Sequence, residues 1–352
     1  MIKSSAGPTG TAARPASLKD VAGRAGVSLG TVYNVLNRPD IVSPERTLAV
    51  ETAIRELNYV PNLAARQLKA GSSTVLGMVI VEMGNPFYAG VALGVSKAAG
   101  DRELGLFTAS SEGNPERESD YLTLFEQQRV RSILLIPASS DVSAARAVAD
   151  RGMPVILLDS DDLPGFCTVG ADDFAGGKLA AQHLVGQGCA HIAIVGDPTH
   201  PQVVNRHYGA LAAIEGESQV RMDFLRTRAM SVIEGRRIGE ELAARPARQR
   251  PDAVFATNDL LAIGLLQALT MVRTIRVPDD IAIIGYDDIE FCASAVVPLS
   301  SVTQPSLEIG AAGVQLAEAE LAEGLSHTHR RRLLQPTLVI RASTSAARSR
   351  SR

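Results

Sequence analysis

The stretch SLKDVAGRAGVSLGTVYNVL, from Ser17 to Leu36, predicts two short helices separated by a tight turn. Ser17 can cap the first helix, with Asp20 three residues later as its capping-box partner. Gly26 can adopt the positive φ that a tight turn requires. Two short helices joined in this way form a helix-turn-helix, which places its second helix in the major groove of DNA.

The second of these helices has an inward and an outward face. Ser28 can cap it, and an apolar stripe of Val32, Val35 and Leu36 points inward. The outward residues are the candidate readers of DNA bases, with Ser28 beside them as a further contact: Leu29, Gly30, Thr31, Tyr33 and Asn34. The alternative is an ordinary helical hairpin, because caps, glycine turns and apolar stripes are common features.

A third helix is predicted after Ser43-Pro44-Glu45, which places Ser at the N-cap, Pro at the first helical position and an acid in the first turn. Val50, Ile54 and Leu57 supply its apolar face. The three helices predict a compact DNA-binding unit over residues 16–61. Ser43 and Tyr59 are further candidate DNA contacts in it.

The segment LAARQLKAG, from Leu63 to Gly71, predicts a helix of barely two turns, too short to be stable alone in water.

Three parts of the sequence resemble the LacI family of bacterial transcription regulators. They are DVAGRAGVSLGTVYNVLN, ELNYVPNLAARQLKAG and several segments between Gly77 and Ser345. The resemblance covers nearly the whole chain.

In that family the short helix is a hinge that folds in a dimer on the operator and inserts a leucine into the minor groove. The resemblance assigns residues 62–72 to the hinge and Leu68 to the wedge, with Asn62, Ala65 and Lys69 as further DNA contacts. Such a wedge unstacks a base step and kinks the duplex. The alternative is that Leu68 only packs within a linker.

The second helix, which carries the candidate readers of DNA bases and is called the reader helix below, departs from the common family pattern. The family has Ser-Arg where this chain has Tyr33-Asn34. Arginine favours guanine, whereas Asn34 matches the N6/N7 edge of adenine or could instead bind a phosphate. The departure leaves the operator sequence open.

Composition and charge agree with a DNA-binding unit joined to a large sensor. The 352 residues are 45% hydrophobic, and their net charge of −3 would usually argue against nucleic acid. Residues 1–71 have nine Lys and Arg against five Asp and Glu, a net +4, which leaves −7 for the rest. The positive end is where the helix-turn-helix is predicted.

The three cysteines, Cys167, Cys189 and Cys292, are widely spaced and contain no CxxC pair. This spacing indicates neither a disulfide framework nor a metal site, so we expect the three cysteines to be small buried apolar residues.

The first residues lack the apolar core of a signal peptide, and no stretch approaches the ~20 apolar residues of a membrane span. We therefore expect a cytoplasmic protein with no membrane partner, and disordered ends over residues 1–15 and 346–352.

From residue 73 onward, apolar runs of strand length alternate with helical stretches, which predicts parallel sheets covered by helices. The predicted strands are Val75-Val81, Gly105-Ala109, Ser132-Pro137, Val155-Asp159, Cys167-Val169, His191-Gly196, Ala253-Thr257 and Ile281-Tyr286. With the family resemblance, this implies an all-α helix-turn-helix domain followed by an α/β, two-lobed, periplasmic-binding-protein-like sensor over residues 73–345. We expect lobe 1 at about 73–170 and 303–334, and lobe 2 at about 171–302 and 335–345.

Ligands of parallel sheets bind outside the carboxyl ends of the strands. The polar and aromatic residues that follow the predicted strands, together with Arg206, could form a cleft for a sugar or another small polar effector. The segments NPFY, NRHYGAL, ATNDLLAIG and GYDDIEF match effector-contacting stretches of the family. The candidate effector-binding residues are Asn85, Phe87, Tyr88, Asp159, Arg206, Asn258 and Asp287.

Each candidate has a structural alternative. Asn85-Pro86 is an ordinary turn signal, and Phe87 or Tyr88 could be core residues. Asp259 is expected to cap the helix that follows it, and Asp288 could be structural. Arg206 could form a surface ion pair. Ser160 departs from the family, which commonly has an arginine after the strand aspartate.

Neither an enzyme nor a cofactor site is expected, since the chain lacks HExxH, a P-loop, and a GxSxG or GxGxxG motif that follows a strand. A periplasmic solute-binding protein would explain the pattern after residue 73 but not residues 17–71. We therefore expect a repressor that binds a pseudo-palindromic operator as a homodimer and responds to a small effector.

Overall fold

The computed structural model describes residues 14–60, 73–271 and 274–345. Its contacts divide the chain into two compact units, Met1–Ser72 and Ser73–Arg352. Each unit has its own hydrophobic core, and each is described by itself below.

The first unit is a three-helix domain. Its helices are Leu18–Ala25, Leu29–Asn37 and Pro44–Glu56, with a 3₁₀ turn at Pro39–Ile41 between the last two. The core that holds them together is built from Val21, Ala22, Val32, Val35, Val50 and Ala53. The stripe predicted on the second helix thus packs against the first and third helices, as a helix-turn-helix requires.

The helix ends of this unit follow the predicted capping. Ser17 Oγ accepts from the Asp20 N–H at 3.3 Å, and Asp20 Oδ2 accepts from the Ser17 N–H at 2.7 Å. Gly26 ends the first helix at φ 66°, and Ser28 Oγ accepts from the Thr31 N–H at 3.1 Å. These local predictions are confirmed. Ser43 lies at the third N-cap as predicted, but its side chain makes no capping hydrogen bond.

The second unit contains two six-stranded sheets, and each belongs to one lobe. The first sheet is parallel throughout, in the order β11-β5-β4-β3-β1-β2. Its strands are β1 (Val75–Ile80), β2 (Gly105–Ser110), β3 (Ile133–Leu135), β4 (Val155–Leu158), β5 (Cys167–Ala171) and β11 (Arg331–Leu334).

The second sheet has the order β12-β10-β9-β8-β6-β7, with only β12 antiparallel to its neighbour. Its strands are β6 (His191–Gly196), β7 (Arg221–Arg226), β8 (Ala253–Ala256), β9 (Ala282–Asp287), β10 (Ser300–Thr303) and β12 (Thr337–Val339). Parallel-dominated sheets of this kind need helices on their faces.

The connecting helices supply that cover. They are Pro86–Gly100, Pro115–Gln127, Ser143–Asp150, Asp173–Gly186, Pro201–Ala213, Val232–Ala244, Asp259–Met271, the short Phe291–Ser294 and Ser306–Glu323. Further 3₁₀ turns lie at Ala247–Gln249, Gly324–Ser326 and Ala342–Thr344. Gly94 and Gly310 lie at the contact between helices Pro86–Gly100 and Ser306–Glu323, where a Cβ would collide with the facing backbone.

The chain crosses between the two sheets three times. It passes from β5 into helix Asp173–Gly186, from β10 into helix Ser306–Glu323, and from β11 to β12. Neither lobe is therefore a continuous piece of sequence.

Every predicted strand corresponds to an observed one, although several bounds differ by one or two residues. Ser132-Pro137 is shortened to Ile133–Leu135, whereas Cys167-Val169 extends to Ala171. Four observed strands were not predicted. They are β7, β10, β11 and β12, which are polar, short or at the edge of a sheet.

In the described parts of the chain, no helix combines the length and the apolar composition needed to cross a membrane.

Candidate functional site

A cleft of about 660 Å³ lies in the second unit and is lined by residues from both sheets. Strands β1 and β4 of the first sheet and strands β6 and β9 of the second end at it. The cleft lies where the carboxyl ends of parallel strands are expected to bind ligands. A further cavity of about 430 Å³ adjoins it and shares Tyr88, Asp159 and Gln202.

The structure brings all of the predicted effector-binding residues to this cleft. Its lining includes Asn85, Phe87, Tyr88, Asp159, Arg206, Asn258 and Asp287. They come from five separate stretches of sequence, so only the tertiary fold places them together. Their role in binding an effector stays a prediction.

Arg206 is the central cation of the cleft and is buried, with 4% of its surface exposed. Its Nε donates to Asp173 Oδ1 at 2.7 Å, and its Nη1 donates to the Thr257 carbonyl at 2.6 Å. The Asp287 carboxylate lies 4.0 Å from Nη1. These contacts exclude the alternative of a surface ion pair for Arg206.

Three buried carboxylates surround this one guanidinium: Asp159, Asp173 and Asp287. Burial raises the pKa of Asp287 to about 7, although the Arg206 charge opposes the rise. Burial, and next the Asp173 charge, raise the pKa of Asp159 well above its usual value. The cleft therefore offers more hydrogen-bond acceptors than cations to neutralise them.

Asp159 follows β4 with a positive φ of 50°. Gln202 Nε2 donates to the Asp159 carbonyl at 2.6 Å and lies 3.4 Å from its Oδ2. Oδ1 of Asp159 is buried and has no hydrogen-bond partner among the described residues. A buried acceptor without a donor costs about 1–3 kcal/mol, so a ligand hydroxyl that donates to it would recover this energy.

The aromatic pair of the first lobe begins helix Pro86–Gly100. Asn85 caps this helix by accepting from the Phe87 N–H at 3.0 Å. Phe87 is buried in the lobe core, whereas Tyr88 is partly buried, and the two ring centroids are 5.3 Å apart. Both structural alternatives thus apply in part: Asn85 caps a helix and Phe87 packs in the core, while both also line the cleft.

Helix Asp259–Met271 is capped by Asn258 and not by Asp259. Asn258 Oδ1, not Asp259, accepts from the Leu261 N–H at 2.9 Å, and Asn258 Nδ2 donates to the Met230 carbonyl at 3.0 Å. Asp259 instead accepts from the Ser301 hydroxyl and the Ile289 N–H. The prediction that Asp259 caps this helix is wrong, because its side chain turns toward β9 and β10.

Asp288 has the structural role that was considered for it. Its carboxylate accepts from Arg341 Nη1 at 2.7 Å and from the Thr303 hydroxyl at 3.0 Å. It holds the last described residues of the chain against β10.

Sequence reasoning missed several polar residues of the site. Asp173 pairs with Arg206, and Gln304 Nε2 donates to Asp287 Oδ1 at 2.7 Å. Asp197 directly follows β6 and lines the cleft, so the rule of carboxyl strand ends could have found it. Gln304 could not be found in that way, because β10 was not predicted.

In the first unit, the candidate DNA-binding residues lie on the outer surface of helix Leu29–Asn37 and next to it. Leu29 is 47% exposed, Ser28 and Gly30 are exposed, and Thr31, Tyr33 and Asn34 are partly exposed. Ser43 is exposed as well, but Tyr59 packs partly against the helical core. Asn62, Ala65, Leu68 and Lys69, together with the predicted hinge helix, lie outside the described residues.

Comparison with known proteins adds independent support to this description. The family model for bacterial regulatory proteins of the lacI family matches residues 17–62, and the model for the periplasmic binding protein-like domain matches residues 181–344. The ribose operon repressor of Escherichia coli strain K12 is 33% identical over 334 residues, which is 92% of this chain and 94% of that protein. The chain belongs to the LacI family.

Two solved structures have folds similar to that of this LacI-family regulator. The lac repressor dimer bound to operator and the anti-inducer ONPF is 26% identical, with a TM-score of 0.83 over 95% of this chain and all of that one. A LacI-family regulator from Enterococcus faecium with bound ribose is 25% identical, with a TM-score of 0.68 over 76% of this chain and 98% of that one. The chain is a DNA-binding transcription regulator with a two-lobed sensor.

Proposed function

We propose that the protein is a repressor that binds a pseudo-palindromic operator as a homodimer, and that a small sugar in the interlobe cleft controls this binding. The observation that carries the proposal is the pair of buried carboxylates, Asp159 and Asp287, that line the cleft beside the buried Arg206. Together they form an acceptor-rich wall suited to a ligand with many hydroxyl donors.

A sugar fits this wall better than an anion does. Hydroxyls donate to carboxylates in charge-assisted hydrogen bonds, whereas an anionic ligand would meet five acidic side chains for two arginines in the lining. Tyr88 adds an aromatic surface, and the cleft volume lies in the usual range for small ligands. The relatives named for ribose support a sugar of similar size.

The DNA half of the proposal rests on the exposed face of helix Leu29–Asn37. A two-fold pair of such helices reaches half-sites about one helical turn apart. We propose residues 16–61 as the DNA-binding domain and 62–72 as the hinge. Residues 73–345 are proposed as the sensor and dimerisation domain, with the lobes divided as expected from the sequence.

A regulator of genomic DNA acts in the cytoplasm, and the named relatives are regulators, not enzymes.

Calorimetric titration of the purified protein with a panel of pentoses and hexoses tests the sensor half. We expect one of these sugars to bind, and Asp159→Asn to weaken that binding. Asp223→Asn is the matched control, because Asp223 lies on the edge strand β7 away from the cleft. If no sugar bound while purine bases or amino acids did, the sugar assignment would be wrong.

Selection of duplexes from a genomic library, followed by gel-shift assays with and without the bound sugar, tests the DNA half. We expect a preferred palindrome whose affinity the sugar changes. Leu68→Ser should weaken binding to this palindrome more than binding to unrelated DNA, because only the specific complex uses the kinked step. Equal salt-sensitive binding to every duplex would support a solute-binding protein instead.

A further inference from the structure

Four metal-ligating side chains lie together in the first lobe, outside the effector cleft. Cys167 begins β5, Glu320 lies in the last turn of helix Ser306–Glu323, and His327 and His329 lie in the segment that leads into β11. One ligand atom from each lies within 4.8 Å of the other three. We call these residues the Cys-Glu-His-His cluster.

The spacing of the ligand atoms is near that of a metal site. Cys167 Sγ is 3.1 Å from His327 Nε2, and Glu320 Oε2 is 3.7 Å from the same nitrogen and 3.9 Å from His329 Nδ1. Around a tetrahedral zinc ion with one sulfur ligand, bonds of about 2.0 Å to nitrogen or oxygen and about 2.3 Å to sulfur place neighbouring ligand atoms about 3.3–3.5 Å apart. Small side-chain movements would therefore complete the coordination.

A second observation concerns Glu320. Its Oε2 is buried and faces the two histidines, and in the described residues it accepts no hydrogen bond of ordinary geometry, although the Cys167 thiol interacts with the same carboxylate. A buried carboxylate oxygen without a donor is costly, and a metal ion would satisfy it. The histidine pairing alone does not, because both Nε2 and Nδ1 lie beyond hydrogen-bond distance.

The residues around the cluster orient its ligands. His327 Nδ1 is hydrogen-bonded to Glu323 Oε2 at 2.8 Å, which directs Nε2 and its lone pair toward Cys167 and Glu320. Metal-bound histidines usually donate their other nitrogen to a carboxylate in this way. The Arg330 N–H lies 3.4 Å from Cys167 Sγ and can donate to a thiolate there.

The cluster is enclosed but remains accessible. The side chain of His327 is 4% exposed, whereas that of His329 is 40% exposed and opens a route from solvent. A protein metal site needs both a shielded set of ligands and such a route.

We propose that the Cys-Glu-His-His cluster binds one divalent transition metal ion of the zinc class. Thiolate, imidazole and carboxylate in one four-ligand set are the donors that zinc takes in proteins. On binding, the Cys167 thiol releases its proton to solvent and the sulfur forms the metal bond. The ion connects β5, helix Ser306–Glu323 and the segment before β11.

The cysteine spacing gave no sign of this site, because Cys167 and His327 are 160 residues apart in sequence. Only the parallel pairing of β11 with β5 brings them together. The local signal was the His-Thr-His spacing at residues 327–329.

Titration of the untagged, reduced and chelator-treated protein with Co²⁺ tests the proposal, because a cobalt–thiolate bond gives a characteristic near-ultraviolet charge-transfer absorption. We expect this absorption to appear at one ion per chain, to disappear when Zn²⁺ is added, and to be lost in Cys167→Ala. The matched control is Cys189→Ala, a buried cysteine of the second lobe, which should keep it.

Two further variants leave the buried cysteine in place. We expect His329→Ala to weaken Co²⁺ binding, and Glu323→Ala to weaken it about 10- to 100-fold through the loss of the His327 partner. Glu308→Ala, an exposed residue of the same helix, is the control. Absence of the thiolate absorption in the native chain, or its persistence in Cys167→Ala, would overturn the proposal and leave a hydrogen-bonded cluster without a metal.

Discussion

The guanidinium carbon of Arg206 lies 3.7 Å from the centroid of the Tyr286 ring. The ring supports the guanidinium from one face, while Asp173 and the Thr257 carbonyl fix its nitrogens. The central cation of the cleft is therefore held by neighbours in its own lobe before any ligand arrives. Such pre-organisation reduces the entropy that binding must overcome.

Removing this cation should disable the sensor and destabilise its lobe. We expect Arg206→Ala to abolish effector binding and to lower the free energy of unfolding by about 3–5 kcal/mol, because it leaves buried carboxylates unpaired. Asp287→Asn should weaken effector binding with a smaller loss of stability. Titration calorimetry and urea unfolding measure the two effects. The DNA-binding domain of both variants should keep its affinity for the operator, and unchanged effector affinity in both would refute the cleft assignment.

Gly176 provides the space that Tyr286 needs. A Cβ at this position would collide with the Tyr286 hydroxyl and ring, so we expect Gly176→Ala to cost about 1–3 kcal/mol and to weaken effector binding. Gly186, at the end of the same helix, has nothing within 4 Å of such a Cβ. Gly186→Ala should therefore leave stability unchanged or raise it by about 0.5–1 kcal/mol. Thermal unfolding separates the two variants, and equal shifts would argue against the Tyr286 contact.

Buried carboxyls make the sensor less stable as pH rises. Burial raises the pKa of Asp259 from 3.8 to about 8, so the folded state keeps a proton that the unfolded state has lost. The free energy of unfolding should be highest near pH 3.8 and fall toward about pH 8, by up to about 1.4 kcal/mol per pH unit for such a group. Urea unfolding across this range measures the slope. Asp259→Asn should flatten it, whereas Asp223→Asn, at a partly exposed site on β7, should not.

A substitution in the reader helix should weaken binding to the preferred operator more than binding to unrelated DNA. Asn34→Ala is expected to cost about 1–3 kcal/mol at the preferred operator if Asn34 contacts a base edge, and to relax the sequence preference at one position. Glu51→Ala, on the exposed face of the third helix, is the control. Quantitative gel shifts at fixed salt measure both. A uniform loss across all duplexes would assign Asn34 to a phosphate.

Local sequence was sufficient to predict the helices of the first unit, because the Ser17 and Ser28 caps and the Gly26 turn depend on neighbours within three or four residues. It was also sufficient for the buried strands, which are continuous apolar runs. It failed for β7 and β11, since an edge strand such as Arg331–Leu334 has exposed, charged residues and no periodic signal. Edge strands owe their conformation to a partner that is distant in sequence.

The same distinction applies to the cleft. The rule of carboxyl strand ends placed Asp159, Asn258 and Asp287 correctly at the cleft, yet it could not assign Asp173 to Arg206 or separate the roles of Asn258 and Asp259. Those assignments depend on helix packing and on side-chain direction. A carboxylate near the carboxyl end of a strand can turn into the cleft, as Asp287 does, or toward the sheet, as Asp259 does.

The neighbouring strands β11 and β12 lie in different sheets, with two residues between them. During synthesis on the ribosome, neither lobe can therefore complete its sheet until residues 331–339 have emerged. A premature stop just before this short stretch would leave β5 and β10 with open edges at the same time, and such edges favour aggregation. Loss of the final strands should thus impair the whole sensor and not a single lobe.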